Sequence, residues 1–91
     1  MREVTEERLE RYFELTRRAV DLVGGCERDE RGDDVFDLAT RYLRDAEHFY
    51  EEDRYVLAYG ALNFAHGLLD SCVRIGLFDV YDPEVFTQLD E

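Results

Sequence analysis

Residues 55–76 read YVLAYGALNFAHGLLDSCVRIG, and this stretch decides the fold. Leu57, Ala58, Ala61, Leu62, Phe64, Ala65, Leu68, Leu69, Cys72 and Ile75 recur at spacings of three and four, the period of an α-helix. Asp70 and Arg74 are its only charges. A rod this apolar belongs at the centre of a helical domain, with neighbours on more than one side. Its alanines and Gly67 are expected to let a neighbouring backbone approach closely, and Gly76 to end the helix.

A second amphipathic helix precedes it. Asp33 or Asp34 is the expected cap, and the helix runs over 34–51 with Val35, Phe36, Leu38, Ala39, Tyr42, Leu43, Ala46, Phe49 and Tyr50 on its apolar face. Glu52-Asp53-Arg54 leaves room only for a tight turn, which makes the second helix and the third, over 55–76, antiparallel neighbours. A first helix runs over 5–23, with Thr5 as N-cap and Glu6 and Glu7 in its first turn. Leu9, Tyr12, Phe13, Leu15, Thr16, Ala19, Val20, Leu22 and Val23 fill about half its circumference. Gly24-Gly25 is expected to end it through a left-handed glycine. Near the end, Asp82-Pro83-Glu84 is a cap followed by an N1 proline, which predicts a short helical turn over 83–89 whose Val85, Phe86 and Leu89 fold back onto the bundle. The reading is all-α: a three-helix antiparallel up-down bundle with a short C-terminal helical turn, one domain over 1–91.

The chain contains no lysine. Eleven arginines face 23 acids, for a net charge of −12. Self-repulsion on that scale opposes a compact state at low ionic strength. In molar salt the Debye length falls to about 3 Å and the repulsion is screened. The composition therefore reads as a haloarchaeal protein in a salt-filled cytoplasm; the alternative is an acidic protein that binds a basic partner. Residues 1–31 carry net −2, while 32–56 and 57–91 each carry −5, so no basic stripe exists for nucleic acid. No stretch reads as a signal peptide or approaches the roughly 18 apolar residues that span a membrane. Cys26 and Cys72 lie in no metal or redox spacing, and two free thiols are expected, Cys72 buried and Cys26 exposed. A cytoplasmic location follows as an expectation.

Two resemblances sit on the second and third helices. Tyr42, Ala46, Phe49, Tyr55, Ala58, Leu62 and Ala65 fall where a single tetratricopeptide-type hairpin places its large and small residues. Only one such unit is present, whereas a solenoid needs about three. The more specific pattern is Tyr42 to Phe49, then Asp53 to Ala58, then the run Asn63-Phe64-Ala65-His66-Gly67-Leu68-Leu69-Asp70, ending Arg74-Ile75-Gly76. Over residues 5–80 it resembles the archaeal family called domain of unknown function 357. Members of that family often carry Gly-Asp in the hairpin turn, where this chain has Glu52-Asp53-Arg54. The resemblance implies a small archaeal helical bundle and assigns no activity.

One constellation stands above background. Asn63, His66, Asp70 and Arg74, spaced by three, four and four, form a narrow polar stripe on the apolar third helix. Buried polar groups need partners. The stripe reads as an internal ladder, with Arg41 or Arg44 reaching in from the second helix, as a solvated face, or as a groove that binds a ligand or partner. A metal site is not expected, because two ligands on one helix do not make one. Asp45-Ala46-Glu47-His48 has Asp where a di-iron bundle has Glu, and it occurs once. With a single serine, Ser71, and no phosphate-binding glycine loop, no enzyme and no cofactor are expected. The expected function is a non-catalytic protein-interaction module or a self-associating bundle, the alternative being a small-ligand or metal-binding domain that uses the stripe. Circular dichroism in about 2 M and 0.1 M KCl checks the salt reading: the fold is expected to be more heat-stable in the brine, and equal stability in both contradicts it.

Overall fold

The computed structural model describes residues 5–86. The described residues form three helices: α1 (Glu6–Gly24), α2 (Glu30–Glu51) and α3 (Tyr55–Arg74). Among the described residues there is no strand.

The start of α1 follows from Thr5, whose Oγ1 accepts the Arg8 N–H at 3.2 Å. Its end differs from expectation. Gly25 is right-handed, at φ −88°, not left-handed. The reason is Arg28, whose Nη1 donates to the carbonyls of Val23 (2.7 Å), Gly24 (3.2 Å) and Cys26 (3.1 Å). Its guanidinium lies 4.4 Å from the centre of the Phe36 ring and pairs with Asp33 at 2.9 Å. With the terminal carbonyls capped by a side chain, no left-handed turn is required.

The second helix begins at Glu30, four residues before the expected boundary. Asp29 is its cap, not Asp33 or Asp34: Asp29 Oδ1 accepts the Gly32 N–H at 2.8 Å, a bond that holds the carboxyl below its ordinary range. Gly32 thus lies inside the first turn of α2, buried, where a Cβ would stand 3.1 Å from the Phe78 ring.

The α2–α3 turn closes on a left-handed aspartate. Asp53 has φ 62°, the Arg54 N–H bonds the Phe49 carbonyl at 2.9 Å, and the Asp53 N–H bonds that of Tyr50 at 3.0 Å. This is a Schellman cap. The same motif ends α3, two residues earlier than expected. Gly76 has φ 84°, the Leu77 N–H bonds the Cys72 carbonyl at 2.8 Å, and the Gly76 N–H bonds that of Val73 at 3.1 Å.

Burial follows the helical period. On α3 it takes in Ala58, Leu62, Ala65, Leu69, Cys72 and Val73, and on α1 Leu9, Phe13, Thr16, Ala19 and Val23. The third helix packs on both others, most extensively on α2, while α1 and α2 share the smallest interface. Ring pairs join α2 to α3 progressively further from the turn: Tyr50 stacks on Tyr55 at 5.3 Å, and Tyr42 meets Phe64 at 4.5 Å. One core cluster holds Leu9, Phe13, Leu43, Ala46, Ala58 and Leu62. The other holds Ala19, Val23, Ala39, Leu69, Cys72, Val73, Phe78, Val85 and Phe86.

Three further expectations are corrected. Leu57, Phe64 and Ile75 are exposed, because the apolar arc of α3 is wider than its two neighbours cover. Nothing among the described residues comes within 4 Å of a Cβ built on Gly67, so no neighbour inside the fold uses its small size. Cys26 is half-buried, its Sγ bonded to the Val23 carbonyl at 3.2 Å. After Gly76 the chain turns back: Asp82 accepts the Val85 and Phe86 N–H groups on its carbonyl and the Glu84 N–H on Oδ1. Residues 87–89 of the expected final turn lie outside the described residues.

The two left-handed positions make opposite predictions. Asp53→Gly is expected to raise stability by roughly 0.5–1 kcal/mol, and Gly76→Ala to lower it by about 1 kcal/mol, both read by urea unfolding at fixed KCl.

Candidate functional site

The four stripe residues do not share one environment. His66 is bonded on both ring nitrogens. Nε2 lies 2.7 Å from the Val85 carbonyl, and Nδ1 lies 2.9 Å from Oγ1 of the fully buried Thr16. A carbonyl only accepts, so Nε2 carries hydrogen; in the neutral ring Nδ1 then accepts from the Thr16 hydroxyl. One imidazole thus ties α3 to α1 and to the returning C-terminal segment. Arg18 on α1 holds the same segment through Asp82 at 3.0 Å and Glu84 at 3.3 Å.

Asn63 belongs to a different group. It hydrogen-bonds the phenol of Tyr59, which also takes a hydrogen bond from Tyr12. These bonds, with the nearby Arg8 charge, hold Tyr59 below the ordinary phenol range, while donating to Tyr59 pushes Tyr12 above it. The two rings meet edge-on at 5.3 Å. Asp70 is half-buried and Arg74 exposed. Arg41 bonds Asp37 of its own helix at 3.1 Å.

Where α1 and α2 splay, Glu10, Phe13, Arg17, Glu47, Tyr50 and Glu51 line a cleft of about 370 Å³. Its floor is the Phe13–Tyr50 edge-on pair at 5.5 Å. The Tyr50 hydroxyl donates to Glu10 at 2.8 Å, and that acceptor, with burial and Glu6 beside it, pushes the phenol well above its usual range. Arg17 already fills the cationic place in this cleft, 4.8 Å from the centre of the Phe13 ring and paired with Glu47 at 3.0 Å. None of the stripe residues lines it. Sequence reasoning missed Arg28, whose partners lie around the α1–α2 loop, and Arg17 and Tyr50, whose partners are set by contact between helices rather than by spacing along one of them.

His48 is exposed, with Nε2 3.2 Å from Glu52. Among the described residues no group of three or more His, Cys, Asp or Glu is placed to hold a metal ion. Burial pushes the Cys72 thiol up, away from the reactive thiolate. Among the described residues no helix is long and apolar enough to cross a membrane.

The outer side of α3 is the remaining feature. Val56 is 74% exposed, Ile75 76% and Phe64 47%, with Leu57 beside them. Gly60, Gly67 and Ser71 run along the middle of this face, also exposed. Each mid-helix glycine costs about 1 kcal/mol relative to alanine. A Cβ built on either would meet no described residue within 4 Å beyond its own turn of helix. Leu38 and Tyr42 of α2 extend the patch past Phe64.

The His66 geometry predicts a structural response. His66→Ala is expected to cost roughly 2 kcal/mol, since it strands the Val85 carbonyl and the Thr16 hydroxyl. Asn63→Ala, at an exposed position, is expected to stay within about 0.5 kcal/mol. Chemical denaturation reads both, and limited proteolysis near residue 82 reads release of the C-terminal segment in the His66 variant.

With the geometry in place, comparison with known proteins adds one match. The family model described as "Protein of unknown function (DUF357)" covers residues 11–78, which takes in all of α2 and α3 and most of α1. No curated protein and no solved structure matches the chain. The matched span includes the Asn63 to Asp70 run and most of both core clusters, and on that extent the chain belongs to the DUF357 family.

Proposed function

We propose that this chain is a non-catalytic protein-docking module, an antiparallel up-down bundle whose contact surface is the outer face of α3. The observation that carries the reading is the exposed, uncharged strip from Val56 to Ser71, with two glycines whose small size no described residue uses. Exposed apolar surface continuous over several turns marks a contact site. The antiparallel arrangement is supported by the ring pairs Tyr50–Tyr55 and Tyr42–Phe64, and by Arg17 of α1 meeting Glu47 of α2. Acid-rich outer faces and the absence of lysine support a setting in the salt-filled cytoplasm of a haloarchaeon. A ligand site on the polar stripe has less support, because His66 spends both ring nitrogens on Thr16 and Val85.

The test is capture at high salt from a lysate of the source cells, with the tagged chain and with its Phe64→Asp variant. A protein recovered by the first and lost with the second, while both variants melt at the same temperature, supports docking through this face. Identical recoveries overturn it.

A further inference from the structure

We propose that residues 79–86 are a salt-gated latch. They lie closed on the bundle at high ionic strength and open as a unit when salt falls, leaving the three helices folded. The inference does not depend on the docking face of α3.

No bond between two main chains fastens the segment to the bundle. Its own main-chain hydrogen bonds are internal, from the Val85 and Phe86 N–H groups to the Asp82 carbonyl at 3.0 and 2.9 Å. Among the described residues none joins its backbone to that of a helix. Three attachments hold it. His66 Nε2 donates to the Val85 carbonyl, Arg18 pairs with Asp82 and Glu84, and Val85 and Phe86 are buried in the cluster that contains Ala19, Val23 and Leu69. Opening therefore breaks no bond of a helical ladder, which is the property of a segment that opens by itself. Phe78 marks the boundary. It is buried beside Gly32, whose Cβ would stand 3.1 Å from its ring, whereas the adjoining Asp79 is exposed. The match to the family model ends at the same residue, 78.

Charge supplies the gate. Arg74 is the last base of the chain, and Asp79, Asp82, Glu84, Asp90 and Glu91 follow it. Residues 1–78 hold 18 acids against 11 arginines. Closing the latch thus brings an acidic segment down on an acidic body, and the two repel. Arg18 opposes this, but its pairs with Asp82 and Glu84 are open to solvent, and such pairs contribute little. The Debye length is about 10 Å in 0.1 M salt and about 3 Å in 1 M. In dilute salt the repulsion reaches across the contact, while in brine it is screened and the burial of Val85 and Phe86 prevails. Opening uncovers the His66 ring and the apolar seat of those two side chains, surface that the closed protein hides.

Amide hydrogen exchange of the whole chain tests the latch, followed as KCl is lowered from about 2 M to about 0.1 M. The Val85 and Phe86 amides are expected to lose protection at a higher KCl concentration than the Leu62 and Ala65 amides of α3. Loss at one common concentration overturns the latch as a separate unit. Protection at Val85 and Phe86 that outlasts that of α3 overturns it equally. Asp79→Asn with Asp90→Asn removes two of the five acidic charges that follow Arg74, and is expected to shift latch opening to lower KCl. An opening concentration unchanged by these two substitutions overturns charge as the gate.

Discussion

The ridge formed by Ala58, Leu62, Ala65, Leu69 and Cys72 on α3 is buried against both other helices, and the rest of the structure is arranged around it. The chain is so acidic that α1 and α2 each carry charge over about half their circumference, and the apolar half of each is turned mainly to α3. With α3 as the shared wall, α1 and α2 need touch little, and the cleft over Phe13 and Tyr50 is where they part. Polar groups in that cleft pair with one another, Arg17 with Glu47 and Tyr50 with Glu10.

What could be read from the chain is what local spacing controls. The three helices, the Thr5 cap and the buried alanines of α3 follow from period and capping chemistry. The start of α2 does not. Asp29, Asp33 and Asp34 are all competent caps, and the choice falls to Asp29 because Arg28 is held at the C-terminal carbonyls of α1 and takes Asp33 as its ion partner. Gly25 is right-handed for the same reason, since the cap comes from the Arg28 side chain in the following loop and leaves no mark in the glycines themselves. The polar stripe shows a related limit. Periodicity places Asn63, His66, Asp70 and Arg74 on one side of a rod, but the rod's neighbours divide that side, sending His66 to Thr16 and Val85 and Asn63 to Tyr59.

The apolar arc of α3 was legible while its inner and outer parts were not. Hydrophobicity alone assigns Leu57, Phe64 and Ile75 to the core along with Leu62 and Leu69. Only the positions of α1 and α2 separate them. Ion pairs do little to fix those positions, because most of those seen are exposed and contribute at most about 1 kcal/mol each. The helices are placed instead by small residues that set how closely backbones pack: Ala46, Ala58, Ala65 and Ala39 are all fully buried.

The two core clusters also differ in when they can close. Leu9, Phe13, Leu43, Ala46, Ala58 and Leu62 have all left the ribosome's exit once residue 62 emerges. The other cluster needs Phe78, and Val85 and Phe86 beyond it, with His66 waiting for the Val85 carbonyl. Synthesis therefore delivers one half of the core well before the other, and the nascent chain passes through a stage in which the hairpin end can pack while Ala19, Val23, Leu69 and Cys72 still lack their cover.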